Sequence, residues 1–380
     1  MKAYIISTFF VFQHRVALIE STLRKSGYDT TVLHSDFHHE TKDNVEQSII
    51  LFQNYKLLPT LKYKKNISLF RILSHVMVSL KFYKTVKKES PELVYIVVPP
   101  NIILHLISKL KRKKNFILIT DIMDMWPESF PIQRFKNNFF FKFWRRLRDE
   151  NLKSADTIIL ECDYYRSIIG EQLELKMNTL HMPIREGFYK ENRLDSVDEV
   201  NIVYIGSINN IIDIDLILEI LTKISLLKPV KFNIIGDGET KKLLLNNLSE
   251  TEIIVNDYGK VYDSRTIFDI VSKCHFALNI MKESVSVGLT MKSLEYFRVG
   301  VPIINNIKGD TKSIIDSNKC GFNITKDTVD DFVSILDKMT VEDFNKMKDS
   351  SRNVYTQYLS DSIFTKNLSN LIDKLGDIND

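Results

Sequence analysis

The chain has 380 residues, 44% of them hydrophobic, with 52 basic and 48 acidic side chains and a formal net charge of +4. This length allows two ordinary α/β domains with separate cores, and so small a charge does not indicate a nucleic-acid partner. The cysteines Cys162, Cys274 and Cys320 lie far apart, which indicates neither a disulfide framework nor a zinc site and favours a reducing cytoplasmic location.

The N-terminal run MKAYIISTFFVFQHR is predicted to be a first strand. Its apolar stretch is broken by Gln13 and His14 and is not followed by a small-residue cleavage site, unlike a signal peptide. No stretch approaches about 18 uninterrupted apolar residues, so we expect no transmembrane span.

Short apolar runs then alternate with amphipathic segments of helical length, a pattern typical of a parallel sheet covered by helices. Helices are predicted at Val16 to Lys25, Leu69 to Lys87 and Phe139 to Lys153. Strands of the first sheet are predicted at Ala3 to Ser7, Thr30 to Leu33, Leu93 to Val98, Asn115 to Thr120, Thr157 to Glu161 and Thr179 to Met182.

The alternation stops in a polar, charged segment and restarts at Asn201. We therefore predict an N-terminal domain at 1–185, a linker at 186–200 and a second domain at 201–358. A C-terminal helix at 359–380 could pack back on the first domain. Strands of the second sheet are predicted at Asn201 to Ser207, Val230 to Gly236, Glu252 to Asp257, Phe276 to Met281 and Val301 to Asn305.

Two glycine turns follow strands of the second sheet, at the edge where parallel sheets bind ligands. Gly206 and Ser207 end the run VYIGS, and Gly236 and Asp237 lie in IIGDGE. A glycine there lets the backbone approach a ligand, although a tight turn is the alternative at both places. The dinucleotide fingerprint GxGxxG is absent, which removes the main support for an NAD enzyme.

The segment GLTMKSLEYF combines a small-residue loop with a predicted helix start. Gly288 and Leu289 precede a helix beginning near Thr290, whose free amides and dipole suit a diphosphate. Lys292 adds a cation, and Glu295 can accept two hydroxyl hydrogen bonds, as from a ribose. The alternative is a solvated helix with an incidental lysine and glutamate.

These motifs in this order resemble the donor domain of bacterial family 4 glycosyltransferases with the GT-B fold. The resemblance rests on VYIGS, IIGDGE, YGKV, GLTMKSLEYFRVGVPIINN and KCGFNI, and in the first half on FILITD with IMDMWPES, which is similar to a stretch of capsule and O-antigen enzymes. It implies two Rossmann-like, doubly wound parallel-sheet domains facing each other across a cleft.

The resemblance also implies roles for individual residues. Gly288, Leu289 and Thr290 would hold the donor diphosphate, and Glu295 would bind the ribose. The remaining donor-side positions are Val261 and Tyr262 near the base, Gly206 and Ser207 under the phosphates, and Gly236 and Asp237 in the neighbouring turn. Asp124 would face the donor sugar and the acceptor from the other domain.

Two departures from the family pattern concern charge. The acidic partner expected eight residues before Glu295 is replaced by Val287, and GSINNIIDID lacks the usual arginine and lysine. Lys292 would then supply more of the charge that meets the phosphates. Asp213 and Asp215 fit helix capping better than metal binding, so we predict a metal-independent reaction without a cofactor, since the nucleotide sugar is a substrate.

Acceptor-side candidates follow the strands of the first sheet. Asp124 is the candidate general base or orienting group, with Asp121 as a competitor whose position favours a structural hydrogen bond. Trp126 could form an acceptor platform or simply pack beside Pro127. His14, in the predicted loop after the first strand, could contact a ligand or serve as a capping or surface residue.

The segment Arg134 to Lys153, RFKNNFFFKFWRRLRDENLK, is rich in aromatic and basic residues. It predicts peripheral contact with an anionic membrane, which would suit a lipid-linked acceptor at the inner face of the plasma membrane. The alternative is that its aromatic residues form a core stripe while the cations are solvated.

The predicted function is therefore a glycosyltransferase that moves a sugar from a nucleotide-diphosphate donor to a hydroxyl of a glycan acceptor in surface polysaccharide synthesis. Two alternatives remain at this point. One is a sugar-nucleotide epimerase that uses the same type of fold, and the other is a non-catalytic partner subunit, which the missing acidic residue at Val287 favours.

Overall fold

The structure, a computed structural model, describes residues 1–65, 68–128, 138–285 and 287–377. The chain forms two compact units. The first consists of Met1–Pro183 together with the C-terminal segment from Asp361, and the second is Ile184–Ser360. Each unit is built on its own parallel sheet.

The first unit contains a seven-stranded sheet in the order β3-β2-β1-β4-β5-β6-β7, with every neighbouring pair parallel. Strand order reverses between β1 and β4, which makes the sheet doubly wound. The strands are β1 (Lys2–Ser7), β2 (Asp29–Ser35), β3 (Tyr55–Leu58), β4 (Leu93–Val98), β5 (Ile117–Ile122), β6 (Thr157–Leu160) and β7 (Met177–Thr179). The helices between them are α1 (Gln13–Lys25), α2 (Leu69–Glu89), α3 (Asn101–Lys111), α4 (Phe139–Leu152) and α5 (Tyr164–Ile169).

The middle of the first sheet is covered by helices, as its composition requires. Every residue of β4, LVYIVV, is buried, because a central parallel strand has helices on both faces. α3 packs against both α2 and α4, so these three helices form one layer. Core side chains between this layer and the sheet include Val78, Phe82, Ile96, Ile103, Ile107 and Leu118.

The second unit contains a six-stranded parallel sheet in the order β10-β9-β8-β11-β12-β13. The strands are β8 (Val200–Ile205), β9 (Val230–Ile235), β10 (Ile254–Gly259), β11 (Phe276–Asn279), β12 (Ile303–Asn305) and β13 (Gly321–Asn323). The helices are α6 (Ile214–Ser225), α7 (Lys241–Leu248), α8 (Ser264–Val271), α9 (Met291–Val299), α10 (Asp310–Asn318), α11 (Val329–Asp337) and α12 (Val341–Val354).

The last helix, α13 (Asp361–Asp377), belongs to the first unit, where it packs on α1. Phe364, Leu368 and Ile372 follow one another at intervals of four residues along this helix and are buried. None of the helices among the described residues has the length and apolar character needed to cross a membrane.

The predicted fold class, with two doubly wound parallel α/β sheets, is confirmed. Two edge strands were not predicted, because β3 and β13 contain only four and three residues and bury few of them. The strand predicted at Thr179 to Met182 is found at Met177–Thr179, so the two ranges share only Thr179.

Candidate functional site

The glycine turns after β8 and β9 lie together at the carboxyl edge of the second sheet. The Gly206 amide donates to the Ile235 carbonyl at 2.8 Å, and the Gly236 amide donates to the Gly259 carbonyl at 2.6 Å. A Cβ at Gly236 would stand 2.0 Å from the Gly206 carbonyl oxygen, so packing between the two turns requires glycine there. Around Gly206, with φ 116°, such a Cβ would meet no atom within 4 Å, which leaves the space beside it open.

The start of α9 is fixed by capping bonds. Thr290 is the N-cap, and its hydroxyl accepts from the Ser293 amide at 3.2 Å and donates to Asn279 Oδ1 at 2.9 Å. Just before it, the Gly288 carbonyl accepts from both the amide and the hydroxyl of Thr311, at 2.9 Å each. Leu289 is buried between these anchors. The Thr290 side chain therefore holds the helix start rather than pointing to solvent.

An asparagine ladder runs across three strand ends beside this helix start. Asn279, Asn305 and Asn323 occupy the same register position on β11, β12 and β13. Asn279 Nδ2 donates to Asn305 Oδ1 at 2.9 Å, and Asn305 Nδ2 donates to Asn323 Oδ1 at 2.8 Å. Because Asn279 also accepts from Thr290, the ladder fixes α9 relative to the sheet.

Lys292 lies in the first turn of α9 and is partly buried. Its Nζ donates to the Tyr204 hydroxyl at 2.9 Å and sits 4.2 Å from the centre of that ring, while the Tyr204 hydroxyl donates to the Ser207 carbonyl at 2.9 Å. Burial lowers the pKa of Lys292 to about 7. None of the described acidic residues forms an ion pair with it. The fold thus presents a desolvated cation without a counter-charge at a helix N-terminus.

Tyr296 joins α9 to the strands that end at the glycine turns. Its buried hydroxyl donates to the Leu278 carbonyl at 3.2 Å and accepts from the Ile205 amide at 2.8 Å. The backbone just before Gly206 is therefore held to the same helix that carries Lys292.

Glu295 is partly buried on α9 and is engaged by an arginine. Arg298 Nε donates to Glu295 Oε2 at 3.0 Å, and its Nη2 donates to the other carboxylate oxygen. Arg298 is itself buried and also donates to the Phe188 carbonyl at 3.2 Å. A carboxylate has about four lone-pair sites, so Glu295 retains acceptor capacity beyond the two that Arg298 uses.

The other donor-side candidates lie in the loops after β9 and β10. Asp237 Oδ1 accepts from the Gly238 amide at 2.8 Å, and its Oδ2 lies 3.7 Å from Lys260 Nζ. Val261 is partly buried, and Tyr262 is 86% exposed. Ser207 is exposed after the Gly206 turn.

In the first unit, Asp121 is part of a buried network. Arg15 Nε and Nη2 donate to the two Asp121 oxygens at 2.8 and 2.9 Å, and the Tyr95 hydroxyl donates to Asp121 at 2.8 Å. Arg15 Nη1 also donates to the carbonyl of Leu180 at 2.9 Å. Because Asp121 is fully buried and these bonds are internal to the first unit, the carboxylate has the structural role predicted for it.

Asp124 lies just beyond β5, partly buried, with Glu161 nearby at the end of β6. Burial raises the pKa of Glu161 to about 8, opposed by the Arg15 cation and reinforced by the charge of Asp124. The Tyr165 hydroxyl donates to Glu161 Oε2 at 3.4 Å. The edge of the first sheet therefore carries two carboxyl groups that influence each other's charge.

Trp126 belongs to an aromatic cluster with α4. Its ring centre lies 5.3 Å from that of Trp144, in an edge-to-face arrangement, and 6.3 Å from that of Phe140. These contacts correspond to the packing alternative for Trp126. Trp144 is buried, as a core stripe requires, whereas Phe139 on the same helix is exposed. Residues 134–137 of the predicted aromatic segment lie outside the described residues.

His14 lies in the first turn of α1 rather than in the loop where it was predicted. Its Nε2 is 2.8 Å from Asp361 Oδ1, at the start of α13. The contact joins α1 to α13, which pack against each other in the first unit.

Asp213 is the N-cap of α6 and accepts from the Leu216 amide at 3.1 Å, and Asp215 lies in the first turn. Within the described residues, no group of three histidine, cysteine or acidic side chains is arranged to hold a metal ion.

Sequence reasoning missed Arg15, Tyr204, Glu161 and Arg298. Glu161 carried a signal in the sequence, because it ends a predicted strand at the edge where ligands bind. Arg15 and Tyr204 act through partners distant in sequence, which no local pattern reveals, whereas Arg298 lies three residues after Glu295 on α9, a spacing at which helical side chains pair.

The second unit is similar in sequence to a known protein family. Residues 199–340, inside the second unit, match the model of the family Glycosyl transferases group 1. No curated protein sequence matches the chain. The structure resembles the apo form of the lipopolysaccharide outer core galactosyltransferase WaaB, with a TM-score of 0.67 and 15% identity over 98% of this chain and 99% of that one.

It also resembles HepE of Anabaena in complex with UDP and glucose, with a TM-score of 0.67 and 12% identity over 98% of this chain and 100% of that one. The chain has the GT-B fold. A TarM variant of S. aureus in complex with Fondaparinux, alpha-GlcNAc-glycerol and UDP gives a TM-score of 0.59 and 11% identity, covering 97% of this GT-B chain and 99% of that one. The family match contains the glycine turns, Lys292 and Glu295 of the second unit.

Proposed function

We propose that this chain is a glycosyltransferase that moves a sugar from a nucleotide-diphosphate donor to a hydroxyl of a glycan acceptor. The observation that carries the proposal is Lys292, a desolvated cation in the first turn of α9 that forms no ion pair with any acidic residue the structure describes. It stands in the region that matches a glycosyltransferase family, beside the open space at Gly206. A diphosphate would supply the missing negative charge.

The donor is proposed to be a UDP-sugar, because HepE and TarM are similar folds in complex with UDP. The diphosphate would meet the amides at the start of α9, next to Gly288 and Leu289, and the ribose would meet Glu295. Val261 and Tyr262 would approach the base, while Gly206, Ser207, Gly236 and Asp237 would form the floor of the site.

In the proposed reaction, the bond between the anomeric carbon and the diphosphate oxygen breaks, and the diphosphate leaves with the bonding electrons. The acceptor oxygen forms the new bond to that carbon and loses its proton. Lys292 and the α9 amides stabilise the charge that grows on the leaving group. These groups act without a metal, so the reaction is proposed to be metal-independent.

Asp124 is proposed as the group that receives or orients the acceptor hydroxyl proton. Glu161, with its pKa raised to about 8, holds a proton at neutral pH, so Asp124 has a protonated carboxyl group near it. The acceptor is proposed to be a lipid-linked glycan of surface polysaccharide synthesis, reached at the inner face of the plasma membrane.

The donor proposal is tested by thermal unfolding of the purified chain with a panel of nucleoside diphosphates and their sugars, with and without EDTA. A ligand that binds only the folded state raises the melting temperature. We expect a selective, EDTA-insensitive increase with UDP and a UDP-sugar. No increase with any nucleotide would contradict the proposal.

Two variants separate binding from transfer. Glu295→Ala should weaken the binding of UDP and bring its affinity close to that of 2′-deoxy-UDP, because the ribose hydroxyl loses its acceptor. Asp124→Asn should bind the donor normally and lose transfer to added acceptor. Full transfer by Asp124→Asn would remove Asp124 from the mechanism.

A further inference from the structure

Helix α2 exposes a continuous row of large apolar side chains. We call it the α2 stripe, and its members are Leu69 (83% exposed), Phe70 (65%), Leu73 (48%), Met77 (40%) and Leu80 (41%). At 100° per residue these positions fall on one face of the helix, over a length of about 16 Å. Isolated exposed apolar residues are ordinary, but a row of five on one helix is not.

The other face of α2 is well anchored. Val78, Phe82 and Val86 are fully buried in the core of the first unit. Ser68 caps the helix by accepting from the Arg71 amide at 3.2 Å, and Ser74 Oγ donates to the Leu61 carbonyl at 2.6 Å. The α2 stripe is therefore the outer face of a fixed helix, and changing it should leave the fold intact.

Lysines flank the stripe at both ends. Residues 61–89 contain eight basic side chains and one acidic side chain, Glu89. The exposed lysines are Lys62, Lys64 and Lys65 before the stripe and Lys84, Lys87 and Lys88 after it. None of these six forms an ion pair with an acidic residue in the described part of the chain, so their charges face solvent.

The aromatic helix α4 offers less free charge than its sequence suggests. Arg146 pairs with Glu150 at 2.6 Å, and Arg148 is buried against Glu128 at 2.9 Å. Trp144 is buried as well, which leaves Phe139 and Phe143 as its large exposed apolar side chains. α2, rather than α4, combines a longer apolar row with unpaired cations.

We propose that the α2 stripe rests on the surface of an anionic lipid bilayer. Apolar side chains would enter the boundary between headgroups and acyl chains, and the flanking lysines would meet the anionic headgroups. A second copy of the chain is a poorer occupant. Whether two α2 helices packed parallel or antiparallel, stripe on stripe, each lysine group would face another lysine group.

The test is flotation of the full chain with vesicles of phosphatidylcholine, or of phosphatidylcholine mixed with phosphatidylglycerol. The chain should float with the phosphatidylglycerol vesicles, and added salt should reduce the bound fraction. Failure of the unmodified chain to bind these vesicles would overturn the proposal.

Replacing the stripe should abolish most of the binding. The triple variant Leu69→Ser, Phe70→Ser, Leu73→Ser should bind phosphatidylglycerol vesicles at least about tenfold more weakly. A matched control is Leu226→Ser with Leu243→Ser, which removes leucines 81% and 56% exposed in the second unit and should bind as the unmodified chain does. Equal binding by the triple variant, or a lipid-free dimer that the triple variant loses, would contradict the proposal.

A second variant tests the charge component. Lys84→Gln, Lys87→Gln, Lys88→Gln should weaken binding to phosphatidylglycerol vesicles and reduce its salt dependence. If the salt dependence of binding did not change, these lysines would not be part of the membrane-binding surface.

The surface deepens the proposed membrane location, but its test needs no sugar transfer. The triple serine variant should keep the unmodified melting-temperature increase with UDP. Stripe-dependent flotation without any nucleotide response would overturn the proposed function and leave the membrane surface standing. A melting-temperature increase with UDP but no flotation would overturn the membrane surface and leave the proposed function standing.

Discussion

The buried charge of Lys292 destabilises the unliganded fold. Its pKa falls from 10.5 to about 7 because burial disfavours the charged form. The folded chain thus releases a proton that the unfolded chain keeps, and this residue's contribution to stability rises as pH increases from about 7 toward 10.5. A bound diphosphate favours the charged form and shifts the pKa back upward.

Binding of UDP should therefore take up a proton above pH 7. We expect its affinity to fall as pH rises past 7, by up to about tenfold per pH unit, as measured by calorimetric titration. Lys292→Met should melt at a higher temperature without ligand at neutral pH, bind UDP at least about tenfold more weakly and lose this pH dependence. A variant that keeps the pH dependence would show that another group is responsible.

Glu161 predicts a pH effect of the opposite sign in the first unit. Its pKa is raised from 4.5 to about 8, so between these values the folded chain holds a proton that the unfolded chain has released. The stability it contributes is full below pH 4.5 and is lost as pH rises toward 8. Glu161→Gln should show a smaller fall in melting temperature between pH 5 and 8, whereas the exposed control Glu40→Gln should follow the unmodified chain.

The sequence placed most candidate residues at the right edges of the sheets but could not describe their partners. Gly206, Lys292 and Glu295 were accessible to prediction because each follows from strand ends and a helix start. The contact of Tyr204 with Lys292 was not, since side-chain direction and packing decide it, whereas the spacing of Glu295 and Arg298 on one helix could have indicated that pair. His14 lies on a helix instead of in its predicted loop because α1 begins at Gln13, three residues earlier than predicted.

At the scale of elements, the edge of the second sheet depends on two turns in backbone contact. Gly236 has φ 147° and faces the Gly206 carbonyl, and Gly238 faces the Ile208 carbonyl at 2.2 Å from its would-be Cβ. The adjoining Thr240 hydroxyl donates to the same Ile208 carbonyl at 2.9 Å. The two loops thus form a single interlocked surface.

Gly236→Ala should lower the free energy of unfolding by about 3 kcal/mol, because its methyl group would collide with backbone. Gly206→Ala is the matched control, because its φ is also positive but the space around it is open. It should lower the free energy of unfolding by about 1 kcal/mol and weaken the binding of UDP. Urea unfolding measures both. A smaller loss for Gly236→Ala than for Gly206→Ala would contradict the interlocked arrangement.

Elements were predictable where their pattern was long. α2 and α4 began at the predicted Leu69 and Phe139, because their apolar spacing persists over several turns. β3 and β13 escaped prediction because a short edge strand gains its hydrogen bonds from a neighbour rather than from its own residues.

At the scale of the whole molecule, the chain returns to its first unit at the end. Phe364 of α13 is 3% exposed and lies 4.6 Å from the Arg15 guanidinium, the same group that binds Asp121. The last helix therefore completes the packing around the buried charge of the first unit.

Phe364→Ala should lower the stability of the first unit by about 3 kcal/mol. Trp126 and Trp144, the two tryptophans of the chain, both lie in that unit, so tryptophan fluorescence during urea unfolding reports on it. UDP binding, a property proposed for the second unit, should persist. Lys366→Ala, an exposed change on the same helix, is the control, and equal losses in the two variants would contradict a packing role for α13.

This return sets the order of events during synthesis. Residues 361–377 leave the ribosome after the entire second unit has emerged. Until then, the nascent first unit lacks the helix that packs on α1. A gene fragment that ends at residue 183 would encode every strand of the first sheet and still omit the helix that covers Arg15. We expect the first unit produced alone to be more stable when the residues of α13 are supplied as a second piece.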